Sequence, residues 1–188
     1  MSSTQQKSIL MRVQTPQTSL FDDLQVPQTE GIKYVGSKLK ILPHIIQIIN
    51  GLKIRTALDA FSGTTRVAQA FSQLGFDTSA NDIAEYSEIF GHCYLLSTKP
   101  NEFYQKFIDE LNSLKGAFGW FSQHYGGENE AGKRPFQLKN TMKLDAIRDK
   151  IDEFDLNFTD KAVLLTSLIL ALDCVDNTLG HYASYLSG

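Results

Sequence analysis

The first half of the chain has an apolar run and a second, more polar strand-like run on either side of a stretch with helical spacing. The run 56–61 predicts a buried strand, and the run 76–81 predicts a second one. Between them, residues 65–74 have the pattern of an amphipathic helix that is expected to end at Gly75. A further helix is expected over 84–97. This order of elements is typical of an α/β fold with a mainly parallel sheet.

The residues before the first strand predict a tail followed by a short helical segment. Residues 1–30 are rich in Ser, Thr and Gln, so they are expected to be flexible, and structure is expected to begin near Gly31. Ser37 can cap a short helix, and Pro43 favours a new helix start. Four isoleucines of that helix are expected to form one buried face: Ile45, Ile46, Ile48 and Ile49.

The second half of the chain predicts an added helical segment. Helices are expected at about 101–114, 140–153 and 160–175. The last is expected to be capped by Thr159 and, being apolar on nearly all sides, to be covered by other structure. Five glycines within 116–135 suggest an exposed loop.

Composition limits the possible classes of protein. The chain has 188 residues, 42% hydrophobic content and a net charge of −3. It can bury one core, but DNA binding would require a local basic patch, and an enzyme of small metabolites fits the charge equally well. Cys93 and Cys174 are far apart, without metal-ligand spacing, which fits a reducing cytoplasm. The most apolar run, 162–172, is too short to cross a bilayer, so no membrane association is expected.

The turn after the first strand is the best candidate for chemistry. Gly63 has no Cβ and permits close approach of a ligand, while Thr64, Thr65 and nearby amides could hold a carboxylate. Asp82 follows the second strand, about 20 residues later, where its carboxylate could accept both hydroxyls of a ribose. The pattern predicts a nucleoside-cofactor pocket, although an ordinary turn and a helix cap at Asp82 are the alternatives. The NAD fingerprint is absent, because only one of its glycines is present.

This turn resembles the Asp-x-Phe-x-Gly-x-Gly cofactor loop of S-adenosylmethionine-dependent DNA amino-methyltransferases. Asp59, Phe61 and Gly63 match, and Thr65 replaces the last glycine. Three further segments resemble blocks of restriction–modification adenine methyltransferases in the expected order, so that the resemblance covers roughly 31–188. They are the motif X-like segment from Lys33 through Lys38 to Ile45, the segment 143–148 and the segment 177–186.

The resemblance implies S-adenosyl-L-methionine as cofactor. Tyr34 would pack near the methionine portion, Lys38 would reach its carboxylate, and Ile83 would stack on the adenine ring. The cofactor-binding residues would be Tyr34, Gly36, Ser37, Lys38, Asp59, Phe61, Gly63, Thr64, Thr65, Asp82 and Ile83.

The segment between the cofactor motifs and the catalytic motif often carries target recognition in this enzyme group. Here residues 100–158 form the candidate DNA-contact insertion. Within it, the loop from Trp120 to Lys143 combines aromatic with basic residues, although Glu128 and Glu130 weaken the local positive charge. An exposed connection pinned to the core by its aromatics is the alternative. The candidate DNA-binding residues are Lys133, Arg134, Lys139 and Lys143.

The catalytic tetrapeptide of the family, Asp-Pro-Pro-Tyr, is absent from the sequence. The chain is therefore interpreted as the front part, 31–188, of a methyltransferase domain with an incomplete Rossmann-like sheet. The implied function is methylation of adenine N6 in double-stranded DNA, within a restriction–modification system. The target adenine would be flipped out of the duplex to receive the methyl group. A cognate restriction endonuclease and a second polypeptide that completes the catalytic domain are the expected partners, and the chain alone is expected to be inactive.

Two other classes of function remain open from the sequence. One is a methyltransferase for cytosine N4, RNA or protein, and the other is a non-catalytic module that binds nucleotide or DNA. A missing strand beside the first strand is also expected to leave an unpaired edge and apolar surface. The isolated chain is therefore expected to be poorly soluble or oligomeric.

Overall fold

The computed structural model describes residues 26–32, 36–127 and 135–176. A 3₁₀ turn, Lys38–Ile41, precedes the first helix, and a π-helical turn, His92–Leu96, follows the third. The strands are β1 (Thr56–Asp59) and β2 (Asp77–Ala80). The helices are α1 (Leu42–Asn50), α2 (Arg66–Gln73), α3 (Glu85–Gly91), α4 (Asn101–Ser113), α5 (Trp120–Tyr125), α6 (Leu138–Glu153) and α7 (Phe158–Cys174).

Strands β1 and β2 pair in parallel, with Thr56 opposite Asp77 and Asp59 opposite Ala80. The predicted strand–helix–strand order is therefore confirmed, although both strands are shorter than predicted. The chain leaves β1 after Asp59 because the following residues turn back toward the end of β2. Helices α1 and α2 pack on one face of this sheet. Their core consists of Leu42, Ile46, Ile49, Val67, Ala70 and Phe71.

Helix α1 starts as the sequence predicts but buries a narrower face. The side chain of Ser37 accepts a bond from the Leu39 amide in the 3₁₀ turn, and Pro43 lies in the first turn of α1. Ile46 and Ile49 are buried, whereas Ile48 is 68% exposed, so the expected burial of Ile48 is wrong. Successive helical residues are rotated by about 100°, which carries Ile48 away from the sheet.

The segment before α1 is attached to α2 by side-chain hydrogen bonds. Arg66 donates to the carbonyls of Thr29 and Gly31, and Gln69 both donates to and accepts from the backbone of Glu30. Gln73 donates to the carbonyl of Gln28 at 2.8 Å. Hydrogen bonds to α2 thus begin at residue 28, ahead of the boundary predicted near residue 31. The predicted flexibility of the residues before them stays a prediction.

Helices α4, α6 and α7 form a second core. It is centred on Tyr104, Leu111, Ile151 and Leu164. Helix α7 is capped by Asn157, whose side chain accepts from the Asp160 amide at 2.9 Å, so the predicted cap at Thr159 is wrong. The Thr159 hydroxyl lies instead 2.9 Å from Nδ1 of His92, where it joins α7 to the π-helical turn. None of the described helices is long and apolar enough to cross a bilayer.

Part of the predicted exposed loop 116–135 is a helix packed against α6. Its glycines serve close contact, because a Cβ at Gly116 would lie 3.0 Å from Cβ of Met142 and one at Gly119 would lie 2.7 Å from Cγ of Asp145. The backbone therefore approaches α6 closely at both glycines, and at Gly119 a Cβ would require Asp145 to shift. Residues 128–134 of the predicted loop lie outside the described residues.

Replacing Gly126 by alanine should destabilise the fold by about 1–3 kcal/mol, since overpacking forces neighbouring groups to shift. The added Cβ would lie 2.6 Å from the carbonyl oxygen of Ser122 and 2.8 Å from Cδ1 of Leu138. Gly91→Ala is the matched control, because a Cβ there meets nothing within 4 Å and its backbone is helical. Urea unfolding of both variants checks the prediction. Equal midpoints for the two would contradict it.

Candidate functional site

The carboxyl ends of the two strands meet at the predicted turn. Asp59 ends β1, and Asp82 lies two residues beyond β2. The amide of Asn81 donates to the carbonyl of Asp59, and the amide of Ser62 donates to the carbonyl of Asn81, both at 2.9 Å. The turn after β1 is thereby joined to the residues after β2, and Asp59, Gly63 and Asp82 are brought into one site.

The carboxylate of Asp82 bridges the turn and the start of α3. One oxygen accepts from the Gly63 amide at 2.8 Å, and the other accepts from the Ala84 amide at 3.0 Å. These backbone bonds lower the pKa of Asp82 below its ordinary value, so the group is ionised at neutral pH. Each carboxylate oxygen has a second lone pair, so Asp82 can hold the turn and still accept from a ligand.

Thr65 has the backbone conformation that glycine would favour at this position of the loop. Its φ is 59°, which is uncommon for a β-branched residue, and its side chain is fully buried. The Thr65 amide donates to the carbonyl of Ser62 at 2.7 Å, and its hydroxyl accepts from Gln69 at 3.0 Å. These contacts hold the threonine in its left-handed conformation. They also engage the hydroxyl that was predicted to bind a carboxylate, and Thr64 beside it is likewise buried.

Lys38 reaches the turn from the 3₁₀ segment after Gly36 and Ser37. Its ammonium group lies 3.4 Å from Oδ1 of Asp59 and donates to the carbonyl of Phe61. Asp59 is buried, and within the described part of the chain its Oδ2 has no hydrogen-bond partner. A buried carboxylate oxygen without a donor is unfavourable unless a ligand supplies one. Tyr34, which the sequence also assigns to this site, lies outside the described residues.

Two large apolar side chains, one in the turn after β1 and one directly after Asp82, face solvent. Phe61 is 80% exposed, and Ile83 is fully exposed. A groove of about 580 Å³ begins at Ser62, Asp82 and Ile83 and runs between β2 and α3 as far as Leu96. Exposed apolar groups around a charged, anchored acid are typical of a pocket for a ligand that is part ring and part polar.

Comparison of the sequence with models of known protein families identifies the family of this chain. Residues 34–188 match the model of the D12 class N6 adenine-specific DNA methyltransferases. The chain belongs to this family. The resemblance inferred from the motifs of the sequence is thereby confirmed.

The chain is also similar, at low sequence identity, to two curated methyltransferases. It is 28% identical to the Type II methyltransferase M.NlaIII of Neisseria lactamica, over 82% of this chain and 49% of the relative. It is 27% identical to the modification methylase StsI of Streptococcus sanguinis, over 82% of this chain and 26% of the relative. The chain thus spans half or less of the length of these relatives. No solved structure gives a significant match.

The candidate DNA-binding residues of this D12 class chain differ in their surroundings. Lys139 is exposed on α6. Lys143 donates to the carbonyls of Asn112 and Leu114 at the end of α4, so its position has a structural explanation and its contact with DNA stays a prediction. Lys133 and Arg134 lie outside the described residues.

Sequence reasoning missed the residues that support the site. Arg66 and Gln69 hold the segment before α1 on α2, and Gln69 also fixes Thr65. Their position on the first two turns of α2, directly after the cofactor turn, was the available signal. Asp145 was also missed, although it lies in the segment 143–148 that resembles a block of the family. Its carboxylate is buried and fixes the start of α5.

Proposed function

We propose that this chain carries the cofactor-binding part of a DNA adenine-N6 methyltransferase that uses S-adenosyl-L-methionine. The observation that carries the proposal is the carboxylate of Asp82, which is anchored to the Gly63 amide between exposed Phe61 and Ile83. A family model for adenine-specific DNA methyltransferases over most of the chain supports it.

Each part of this cofactor would have a candidate partner in the site. Asp82 would accept from the ribose hydroxyls, and Ile83 would cover one face of the adenine ring. Lys38 would bind the methionine carboxylate, and the unpartnered Oδ2 of Asp59 would accept from the ammonium group beside it. Phe61 would contact the chain that joins the two ends of the cofactor. When bound, the cofactor supplies an electrophilic methyl group on its sulfonium centre.

The acceptor of the methyl group is proposed to be adenine N6 in double-stranded DNA. A base inside the duplex is out of reach, so it must be flipped out before its amino group can approach the cofactor. The Asp-Pro-Pro-Tyr motif, which in the family binds that amino group, is absent from this sequence. In this proposal, catalysis requires residues that this sequence does not contain. Within a restriction–modification system, the functional partner would be a cognate restriction endonuclease.

The exposed face of the sheet supports a requirement for further polypeptide. Parallel sheets are normally covered on both faces. Helices α1 and α2 cover one face here, whereas Thr56, Leu58, Asp77 and Ser79 on β1 and β2 are exposed, with Leu58 at 62%. Within the described residues the sheet contains only these two strands. We propose that a second polypeptide, or further residues of the same protein, packs on this face and covers Leu58.

Methyl transfer tests the proposed function directly. The chain is mixed with a polypeptide that carries the Asp-Pro-Pro-Tyr motif, with DNA and S-adenosylmethionine, and the methylated bases are identified by mass spectrometry. The expected product is N6-methyladenine, formed only when both polypeptides are present and not with the Asp82→Ala chain. Formation of N4-methylcytosine instead would show that the target base is cytosine and not adenine. Cofactor binding without any methylated base would contradict a role in DNA methylation.

A further inference from the structure

Helix α5 is fixed to α6 by a single buried carboxylate. Asp145 accepts hydrogen bonds from the amides of Gly119, Phe121 and Ser122, at 2.9–3.0 Å, and from the Ser122 hydroxyl at 2.6 Å. A helix of only six residues has little stability of its own. Its position is therefore set by Asp145 and by the close contact of Gly119 with that side chain.

Helix α5 and the segment directly before it present aromatic rings to solvent. Phe118 and Trp120 are 57% and 56% exposed. Trp120 stacks on His124, with ring centroids 4.5 Å apart and planes at 28°, and it forms T-shaped pairs with Phe121 and Tyr125. A large ring that is held rigidly and left in solvent is costly unless a ligand covers it, because it loses conformational freedom without burying its apolar area.

The lysines near α5 favour a nucleic acid as the ligand, with its phosphates near the lysines and its bases on the exposed aromatic rings. Residues 114–127 contain Lys115 and no carboxylate, although Glu128 and Glu130 follow in the sequence, and Lys139 is exposed on the adjoining helix. The acid packed against this segment, Asp145, is buried and satisfied by four donors. Cations at the margin of an aromatic surface suit phosphates and bases together.

On its other side, Trp120 borders an apolar groove of about 580 Å³ that Asp173 and Asp176 of the α7 end also line. Carboxylates repel phosphate, whereas the mainly apolar lining of the groove suits a planar ring. The groove is therefore suited to a base and not to the DNA backbone.

We propose that Phe118 and Trp120 form a stacking surface for an unstacked base of the DNA substrate, and that Asp145 is the residue that positions it. The identity of the partner as DNA rests on the proposed function. A flipped-out target leaves bases that have lost a neighbour, and an exposed ring can replace that neighbour by stacking. A planar indole already stacked on an imidazole has the shape and the free area for this contact.

Fluorescence provides a local test, because Trp120 is the only tryptophan of the chain. The chain is titrated with a short duplex that contains one bulged, unpaired base and with a fully paired duplex of equal length. The bulged duplex should quench Trp120 emission more strongly and bind more tightly. In an anisotropy titration with labelled bulged duplex, Trp120→Ala should weaken binding roughly tenfold, the usual effect of removing one stacking ring.

Two variants separate the proposed roles. Phe158→Ala removes a half-exposed ring at the start of α7 and should leave DNA affinity unchanged. Asp145→Asn keeps the shape of the side chain but weakens its hold on α5, so it should reduce the quenching by bulged DNA while leaving affinity for S-adenosylmethionine unchanged. A change in both affinities would indicate a general structural role for Asp145 and overturn its assignment as a positioning residue.

The outcomes distinguish this inference from the proposed function. Equal quenching by the two duplexes, or undiminished DNA affinity of a folded Trp120→Ala chain, overturns the stacking surface even if the cofactor binds. Quenching of Trp120 that depends on protein concentration and not on DNA would show that a second copy covers the rings, and this also overturns it. Base-dependent quenching without cofactor binding would support the surface and count against the cofactor assignment.

Discussion

Replacing Asp145 by alanine should lower the free energy of unfolding by about 3 kcal/mol or more. The substitution leaves four buried or partly buried donors without their acceptor, and each such loss costs about 1–3 kcal/mol before relaxation. Release of α5 from α6 would relieve part of this penalty by admitting water. Urea unfolding followed by circular dichroism measures the global loss, and Trp120 emission reports on α5 itself.

The matched control is Asp149→Ala, which removes an exposed carboxylate one turn further along α6 and should change stability by less than about 0.5 kcal/mol. The pH dependence provides a second check. Burial alone would raise the pKa of Asp145, but hydrogen bonds from Ser122, Phe121 and Gly119 outweigh burial and lower it. Its stabilisation is therefore present above the unfolded pKa, near 3.8, and is lost as pH falls through the lower folded pKa.

Asp145→Asn should accordingly reduce the loss of stability on acidification below about pH 4. Asp160 has a lowered pKa as well, because Lys99 and Tyr104 outweigh the effect of its burial, and it should retain its own share of the acid sensitivity. An Asp145→Ala chain as stable as the Asp149→Ala control, with an unchanged pH profile, would contradict the role assigned to Asp145.

The second large effect is expected for Asp82→Ala, which should weaken binding of S-adenosylmethionine by a factor of ten or more, or about 1.4 kcal/mol. The substitution removes the proposed acceptor of the ribose hydroxyls. It also removes the carboxylate that accepts from the Gly63 amide and thereby holds the turn. Isothermal titration calorimetry measures both affinities. Asp77→Ala is the control, because Asp77 is an exposed acid that lines the same groove at the start of β2.

Asp82→Asn separates the two roles of the side chain. An asparagine oxygen can still accept from the Gly63 amide, so the turn should keep its shape while the charge that strengthens the ribose bonds is lost. An intermediate affinity is expected. Affinities of Asp82→Ala and Asp77→Ala that are both equal to that of the unsubstituted chain would exclude Asp82 as the ribose acid.

Local patterns were sufficient to predict the turn after β1 and the position of Asp82 beside it. The strand–turn–helix–strand unit follows from residues 56–82 alone, since apolar spacing and the glycines at 63 and 75 define each element. The position of Asp82 beside the turn then follows from parallel pairing, which brings the carboxyl ends of both strands together. Pro43 as a helix start was predictable for the same reason, because its effect is confined to its own backbone.

The failures arise where distant residues decide the local structure. Helix α5 is stabilised by Asp145, which lies more than 20 residues away in the sequence, and its glycines mark contact with α6 instead of flexibility. Ile48 is apolar but exposed to solvent, which depends on how α1 packs on the rest of the fold. The attachment of residues 28–31 similarly depends on Arg66 and the glutamines of α2.

A calorimetric titration of the unsubstituted chain with S-adenosylmethionine tests the central claim most directly. The site at Lys38, Asp59 and Asp82 predicts saturable binding of one cofactor per chain. Circular dichroism on the same sample establishes that the protein is folded. Absence of binding to the folded chain, alone and together with a polypeptide that carries the Asp-Pro-Pro-Tyr motif, would contradict the assignment of this turn as a cofactor site.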